Sequence, residues 1–573
     1  MSKRREKKQV DPQLPADVKA VATRLRDTEP HSPAMGFALA QWSAFALVCL
    51  LIAVLHVVIW NRSGAFWRDE CASILLSRAP SWRDLFSELR TDSFPALFVV
   101  MLRIWTLCGP GMSETGLHVF GMLISLGTLV SIVLSCRAFG VKIPLLAVAL
   151  VCLNSTVLYY GSAIRAYGLA ALLIVACFAM FWRFARYPTP RSGAYAFLLA
   201  LLSIHCNYQN CYLLFGIGTA AAATCLLRGA WKRCLLILSI CFVAAVTMLV
   251  YLPVIIRYRE DTSISHFVLD MHIIGVRFLE ALADRNLALL VTWVALGIGA
   301  LAFVIMEIRR ARGSPSQSPP LSPGLYCALT VILAAVTGSV FFQTNGMFPF
   351  AWHYIPFIAL AGVAIDCSLQ TTRSWRWLSP AKCLIACFVA AISFLPAWKE
   401  AHLRRTNVDF IAATVESRAA PQDLILVNPF WLRPSFKQYY HGATTWRVVP
   451  IDPDDPGQYW HGSGVSIKNM MTRPDSIGPT LQMVQDTLRR GGRLWIVGGI
   501  EFLPPNVSPP DLIPAPHPQY GWDNNAYSEI WSAHLGSFLR KHARKATVII
   551  APHESVNPLE SMCLILVEGW GSP

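Results

Sequence analysis

Between residues 37 and 398 the chain is a succession of apolar runs separated by short polar breaks. A bilayer-crossing helix needs about 20 mostly apolar residues. Candidate spans fall at 37–60, 114–136, 142–160, 163–183, 194–207, 208–228, 233–256, 287–308, 324–343, 348–368 and 381–398. The run 94–108 is apolar too, but it is short and Arg103 interrupts it. It is expected to lie in the membrane interface rather than to cross. Past residue 399 the pattern changes. Short β-type runs at 423–427, 446–451, 493–497, 546–551 and 564–567 alternate with helix-like stretches such as 479–490 and 528–544, the signature of a three-layer α/β domain.

The expected fold is therefore mainly α, a polytopic membrane protein of about 11 transmembrane helices with a C-terminal soluble α/β domain. Residues 1–34 read as a disordered cytoplasmic tail, 35–399 as the transmembrane domain with an outer loop at 61–113, and 400–573 as an extracytoplasmic domain. The tail is too long and polar to precede a cleaved signal.

Charge orients the chain. One set of loops carries Arg137 and Lys142, then Arg183, Arg186 and Arg191, then Arg228, Lys232 and Arg233, then Arg309, Arg310 and Arg312, then Arg373, Arg376 and Lys382. The alternate set carries Asp69, Glu70, Asp84, Glu88 and Asp92, then Glu260, Asp261, Asp270, Glu280 and Asp284. Basic loops face the cytoplasm, so the N-terminus is expected inside and the acidic loops and the C-terminal domain outside. Counting 94–108 as a span would invert this pattern. The outer side reads as a periplasm, and the membrane as the cell inner membrane.

Composition adds two exclusions. Of the 573 residues 54% are hydrophobic and 14% charged, against about 25% charged in soluble chains. The net charge of +15 is dispersed between apolar runs, which argues against nucleic acid as a partner. The 16 cysteines sit mostly inside apolar runs and form no CxxC pair or metal-spaced cluster, so neither a disulfide framework nor a zinc site is expected.

The chemistry-bearing step is Trp67-Arg68-Asp69-Glu70, just past the first span. Ionisable groups at the lip of a bilayer are costly to desolvate and mark candidate functional sites. A carboxylate there can take a proton from an acceptor. The same residues also suit a solvated acidic pair among Arg62, Arg68, Arg78 and Arg83. Arg165, at the outer end of its span, suits a phosphate or simply snorkels.

The order of motifs goes further. Trp67-x-Asp69-Glu70, then Phe94-Pro95-Ala96-Leu97-Phe98 with Leu102-Arg103-Ile104-Trp105, then Gly111-x-Ser113-Glu114, resembles the first outer loop of GT-C glycosyltransferases, most nearly the protein-mannosyltransferase-like branch. Tyr159-Tyr160 through Arg165-Ala166-Tyr167, and Trp352-His353-Tyr354-Ile355-Pro356, resemble later segments of that family. Phe94, Ala96, Ala163 and His353 depart from its pattern, where His, Pro, Glu and Arg are usual. The resemblance implies transfer of a sugar from a polyprenyl-phosphate donor to a glycan, lipid or protein acceptor. It implies Asp69 as general base, with Glu70 as its support or as ligand to a divalent metal ion; no other cofactor is implied. It also implies Arg165, Tyr167, His353, Tyr354, Arg103 and Trp67 as substrate-binding residues. A transporter or exporter of lipid-linked saccharide, and a non-catalytic membrane scaffold, are the competing readings.

Overall fold

Lipid offers no hydrogen-bond partner, so long apolar runs close their backbone bonds internally as helices. The computed structural model describes residues 33–89, 92–256, 270–312, 322–345, 348–369, 378–454 and 464–571. The tail expected at 1–34 lies outside them except for its last two residues, as do Glu260, Asp261, Arg373 and Arg376 of the charge pattern.

The chain is a multi-pass membrane protein. Among the described residues, eight of the expected segments are helices long and apolar enough to cross: Phe37–Arg62, Glu114–Ala138, Ala166–Arg186, Trp231–Ile256, Leu287–Arg310, Pro323–Asn345, Ala351–Ser368 and Leu378–Ala401. The other three are shorter. Residues 142–160 divide into Leu145–Cys152 and Ser155–Gly161. The reason is Asn154, whose side chain accepts from Val157 N (3.0 Å) and so starts a new helix. Its amide donates to Ala281 O and Leu282 O, which fixes the break inside the bundle. Pro190–Cys206 and Asn210–Leu226 form a short helical hairpin. The expected interfacial helix is Ala96–Thr106, which buries Phe98, Val99 and Leu102 and exposes Ile104.

Backbones approach closely around the turn at 161–165. A Cβ on Gly121 would overlap the Ser162 carbonyl oxygen, and one on Gly168 would overlap that of Gly161. Small residues are what allow backbones so near one another in a membrane bundle.

The C-terminal unit has a five-stranded sheet of order β2-β1-β3-β5-β4. The strands are β1 (Leu424–Asn428), β2 (Trp446–Val448), β3 (Leu494–Gly498), β4 (Ala543–Ile550) and β5 (Cys563–Trp570). β1 pairs in parallel with β2 and β3, while β5 runs antiparallel to β3 and β4. Alternate residues of each strand serve opposite faces. Leu424, Leu426, Leu494 and Ile496 pack with Val484, Leu488, Trp531 and Leu535. Ile425, Val427, Trp495 and Val497 pack with Val408, Ile411, Val415 and Phe436. Both faces being covered, β1 is buried along its whole length.

This unit is joined to the outer loop of the helical part. Arg405 N donates to Ser63 O (2.8 Å) and Phe66 N to Tyr439 Oη (2.8 Å), and Ala65 belongs to the same apolar cluster as Val408 and Ile411.

Replacing Gly121 or Gly168 by Ala should destabilise the protein by about 1–3 kcal/mol through overpacking, seen as a lower melting temperature in detergent. Unchanged melting of both variants would refute the close helix approach.

Candidate functional site

The Arg68–Ser77 helix follows the extended residue Trp67. Its first backbone N–H groups have no partner within the helix, and two carboxylates supply them. Glu70 Oε2 accepts from Trp67 N (3.4 Å), and Glu560 Oε2, from the C-terminal unit, accepts from Arg68 N (2.8 Å). Negative charge at a helix N-terminus is favoured by the helix dipole. Neighbouring residues on a helix point in different directions, so Asp69 and Glu70 meet different surroundings.

Glu70 turns inward and has no exposed surface. Its Oε1 accepts from Arg405 Nη1 (2.5 Å) and from Ile164 N (2.8 Å). A carboxylate so enclosed orients its helix; the structure does not present it to a substrate. Asp69 turns outward, its side chain 29% exposed and 3.6 Å from Arg68 Nε.

Arg165 stands at the start of the Ala166–Arg186 helix, on extended backbone. Its Nη1 donates to Asp69 O (3.3 Å), Ser73 Oγ (2.9 Å) and Asp92 Oδ1 (3.2 Å). Its guanidinium lies 4.6 Å from the centre of the Phe94 ring, a cation–π contact. Its Nε is buried with no acceptor among the described residues. Burial works against the charge, but Asp92 and Asp69 hold the Arg165 pKa above its ordinary value. Burial lifts the Asp92 carboxyl, and Arg165 offsets part of that.

Aromatic rings complete the wall. Tyr167 meets Phe94 edge-on at 5.2 Å and lies 6.0 Å from the His353 ring. His353 Nδ1 accepts from Phe350 N (3.1 Å), which leaves Nε2 to carry the proton of the neutral ring. Next to His353, 6.2 Å away, the Phe342 ring borders an apolar cavity of about 140 Å³ lined also by Tyr212, Met271, Phe278, Gly338 and Tyr354.

The sequence-predicted residues thus divide. Asp69, Arg165, Tyr167 and His353 come together. Trp67 is buried, 5.5 Å from Trp352, as part of the packing behind them. Tyr354 donates its hydroxyl to Ile274 O (3.0 Å) and faces the apolar cavity. Arg103 donates to Ser77 O (3.2 Å) and Ala79 O (2.7 Å) and covers Trp82, so it caps the far end of the Arg68–Ser77 helix. That is a helix C-terminal role, at the opposite end from Asp69. Among the described residues no group of three or more His, Cys, Asp and Glu side chains is arranged to hold a metal ion.

Sequence reasoning assigned no role to Asp92, Arg405 or Glu560. Asp92 had a signal, lying two residues before Phe94-Pro95 in an outer loop. Arg405 and Glu560 had none, because nothing in spacing links them to residue 70.

Compared with solved structures, the chain is similar to ArnT from Cupriavidus metallidurans in the apo state, with 13% identity, 81% of this chain and 93% of that chain covered, and a TM-score of 0.49. For ArnT from the same organism bound to undecaprenyl phosphate the figures are 12%, 91%, 98% and 0.48. For the archaeal oligosaccharyltransferase AglB from Archaeoglobus fulgidus, in complex with an inhibitory peptide and a dolichol-phosphate, they are 12%, 80%, 69% and 0.46. At these scores the likeness is one of general arrangement. No protein-family model matches the chain, and no curated protein matches it in sequence.

Arg405→Ala strands the Glu70 charge in the interior and should cost about 3–5 kcal/mol of stability. The double variant Glu70→Ala/Arg405→Ala should lose less than the sum of the two single losses, measured by unfolding in detergent. Simple additivity would show that the two side chains do not depend on each other.

Proposed function

We propose that the chain is an inverting glycosyltransferase that moves a sugar from a polyprenyl-phosphate carrier to an acceptor hydroxyl or amine at the outer membrane face. The observation that carries this reading is a partly exposed carboxylate on Asp69, the residue whose backbone carbonyl accepts from a buried guanidinium, Arg165, whose Nε has no acceptor among the described residues. A base that meets solvent and a cation that does not are the two charges this reaction needs.

Asp69 takes the proton from the acceptor as its oxygen or nitrogen attacks C1 of the sugar. The bond between C1 and the phosphate oxygen breaks on the opposite face, so the anomeric configuration inverts. The pair of electrons leaves with the carrier phosphate, which is a weak base. It needs charge stabilisation and no proton, unlike the leaving group in glycoside hydrolysis. Arg165 supplies that charge. Its Nη1 is occupied by Asp92 in this structure, so the phosphate either takes the place of Asp92 or binds along the Nε edge. The apolar cavity beyond His353 lies where the first units of the prenyl chain would follow. Tyr167 and His353 Nε2 offer polar contacts between the two. The wall of Phe94, Tyr160, Tyr167 and Trp352 keeps the guanidinium dry and its field unscreened.

In this reading the membrane is the bacterial inner membrane, the N-terminus is cytoplasmic, and the 400–573 domain lies in the periplasm. Glu70 serves by fixing the helix that carries Asp69.

Purified protein incubated with a panel of radiolabelled polyprenyl-phosphate hexoses and pentoses, with glycolipid and peptide acceptors, should transfer label from at least one donor. Asp69→Asn should lower kcat by about 10²–10⁴-fold with folding intact. Wild-type turnover in that variant would remove Asp69 as the base. Arg165→Ala should raise the donor KM and lower kcat, and Arg165→Lys should fail to restore either, since an ammonium lacks the planar fork. Full rescue by Lys would reduce Arg165 to a general positive charge.

A further inference from the structure

One loop of the C-terminal unit reaches the first turn of the helix that carries Asp69. Residues 551–562, between β4 and β5, turn back toward the membrane part and are fixed on both sides. Asn557 N donates to Arg404 O and Arg404 N to Ser555 O, each at 2.8 Å. Asn407 Nδ2 donates to Met562 O (2.7 Å), and Met562 N to Asn407 Oδ1 (2.9 Å). Asn557 Nδ2 also reaches Tyr160 Oη (3.3 Å), beside the turn that leads to Arg165. From this loop Glu560 enters the first turn of the Arg68–Ser77 helix with 2% of its surface exposed.

A buried carboxylate is an expensive helix cap. Serine, asparagine or water would satisfy the same N–H at lower cost. The position of Glu560 is what distinguishes it, because Arg68, whose N–H it holds, immediately precedes Asp69. The first turn is where a helix frays, and fraying here would swing the Asp69 carboxylate away from Arg165. A misplacement of about 1 Å can cost about 10²-fold in rate.

We propose that Glu560 is a positioning residue for Asp69, so that the C-terminal unit completes the active site rather than merely accompanying it. This rests on the reading of Asp69 as general base. Burial lifts the Glu560 carboxyl to about 7, against the pull of the Arg68 N–H and charge. The groups around it are Arg68, Asp69 and Cys71 of the catalytic helix and Ser435 of the Arg433–Tyr439 helix. Below that pH the cap becomes a neutral acid and its grip on the Arg68 N–H weakens.

The test uses the full-length protein in detergent, the panel donor turned over fastest, and the variants Glu560→Ala, Glu560→Gln and Asp69→Asn. Hydrogen exchange at residues 68–71 should quicken in Glu560→Ala while the rest of the helical part stays protected. Its kcat should fall at least tenfold with donor KM within twofold of wild type, because Arg165 is untouched. Glu560→Gln keeps an acceptor oxygen. It should retain more activity and lose the fall in kcat that the wild type shows below about pH 7. If Glu560→Ala does not fold, the pH profile of Glu560→Gln decides alone. Wild-type kcat and an unaltered pH profile in Glu560→Gln, with Asp69→Asn inactive, would overturn the positioning role and leave the enzymatic reading standing. Full activity of Asp69→Asn would overturn the enzymatic reading itself.

Discussion

The site hangs on the buried contact between Glu70 and Arg405. Both side chains are out of water, and their Coulomb attraction alone rarely repays the desolvation of two ions. Most of the remaining groups of the pair are therefore put to use. Glu70 also accepts from Ile164 N and Trp67 N, and Arg405 also reaches Tyr159 O and Ser162 Oγ. The result ties together the outer loop, the turn before the Ala166–Arg186 helix and the entry to the C-terminal unit. Polar networks of this kind help specify one arrangement, here with Arg405 Nε alone left without an acceptor in the pair among the described residues. Here the arrangement they specify brings Asp69 beside Arg165.

Two adjacent acids are thereby given opposite duties. Helical geometry sends consecutive side chains in different directions, so one of the pair is sealed in and its neighbour left open. The sealed one sets where the helix sits. The open one meets solvent. Arg165 shows the same economy. Its charge is held in place by Asp92 and the Phe94 ring.

The positions at which the sequence differs from the pattern it resembles have structural partners here. Phe94 gives Arg165 a ring to lie against. His353 is held by the backbone of Phe350 and stands between Tyr167 and the apolar cavity, so a neutral, directional donor occupies a place where a second fixed cation would crowd Arg165. Ala163 is buried in the turn whose neighbouring carbonyls, of Gly161 and Ser162, lie against Gly168 and Gly121.

Local rules on their own determined a good deal. Hydropathy placed each long helix, because lipid forces every spanning segment to satisfy its own backbone, and short β-type runs placed all five strands to within a few positions. Those features are legible because each depends on residues close together in the chain. Asp69 and Arg165 also stood out as charged groups at the ends of apolar runs, while Tyr167 and His353 were singled out by the resemblance alone. The break at Asn154 was not visible: its local cap on Val157 N is held inside the bundle by carbonyls of residues 281 and 282 that only folding brings near. Nor was the separation of Arg103 from the site, the partnership of Asp92 with Arg165, or the entry of Arg405 and Glu560 from beyond residue 400. Sequence distance carries no information about which buried charge meets which. That pairing is settled by the cost of leaving any one of them alone in the interior, and only the packed structure shows how that cost was met.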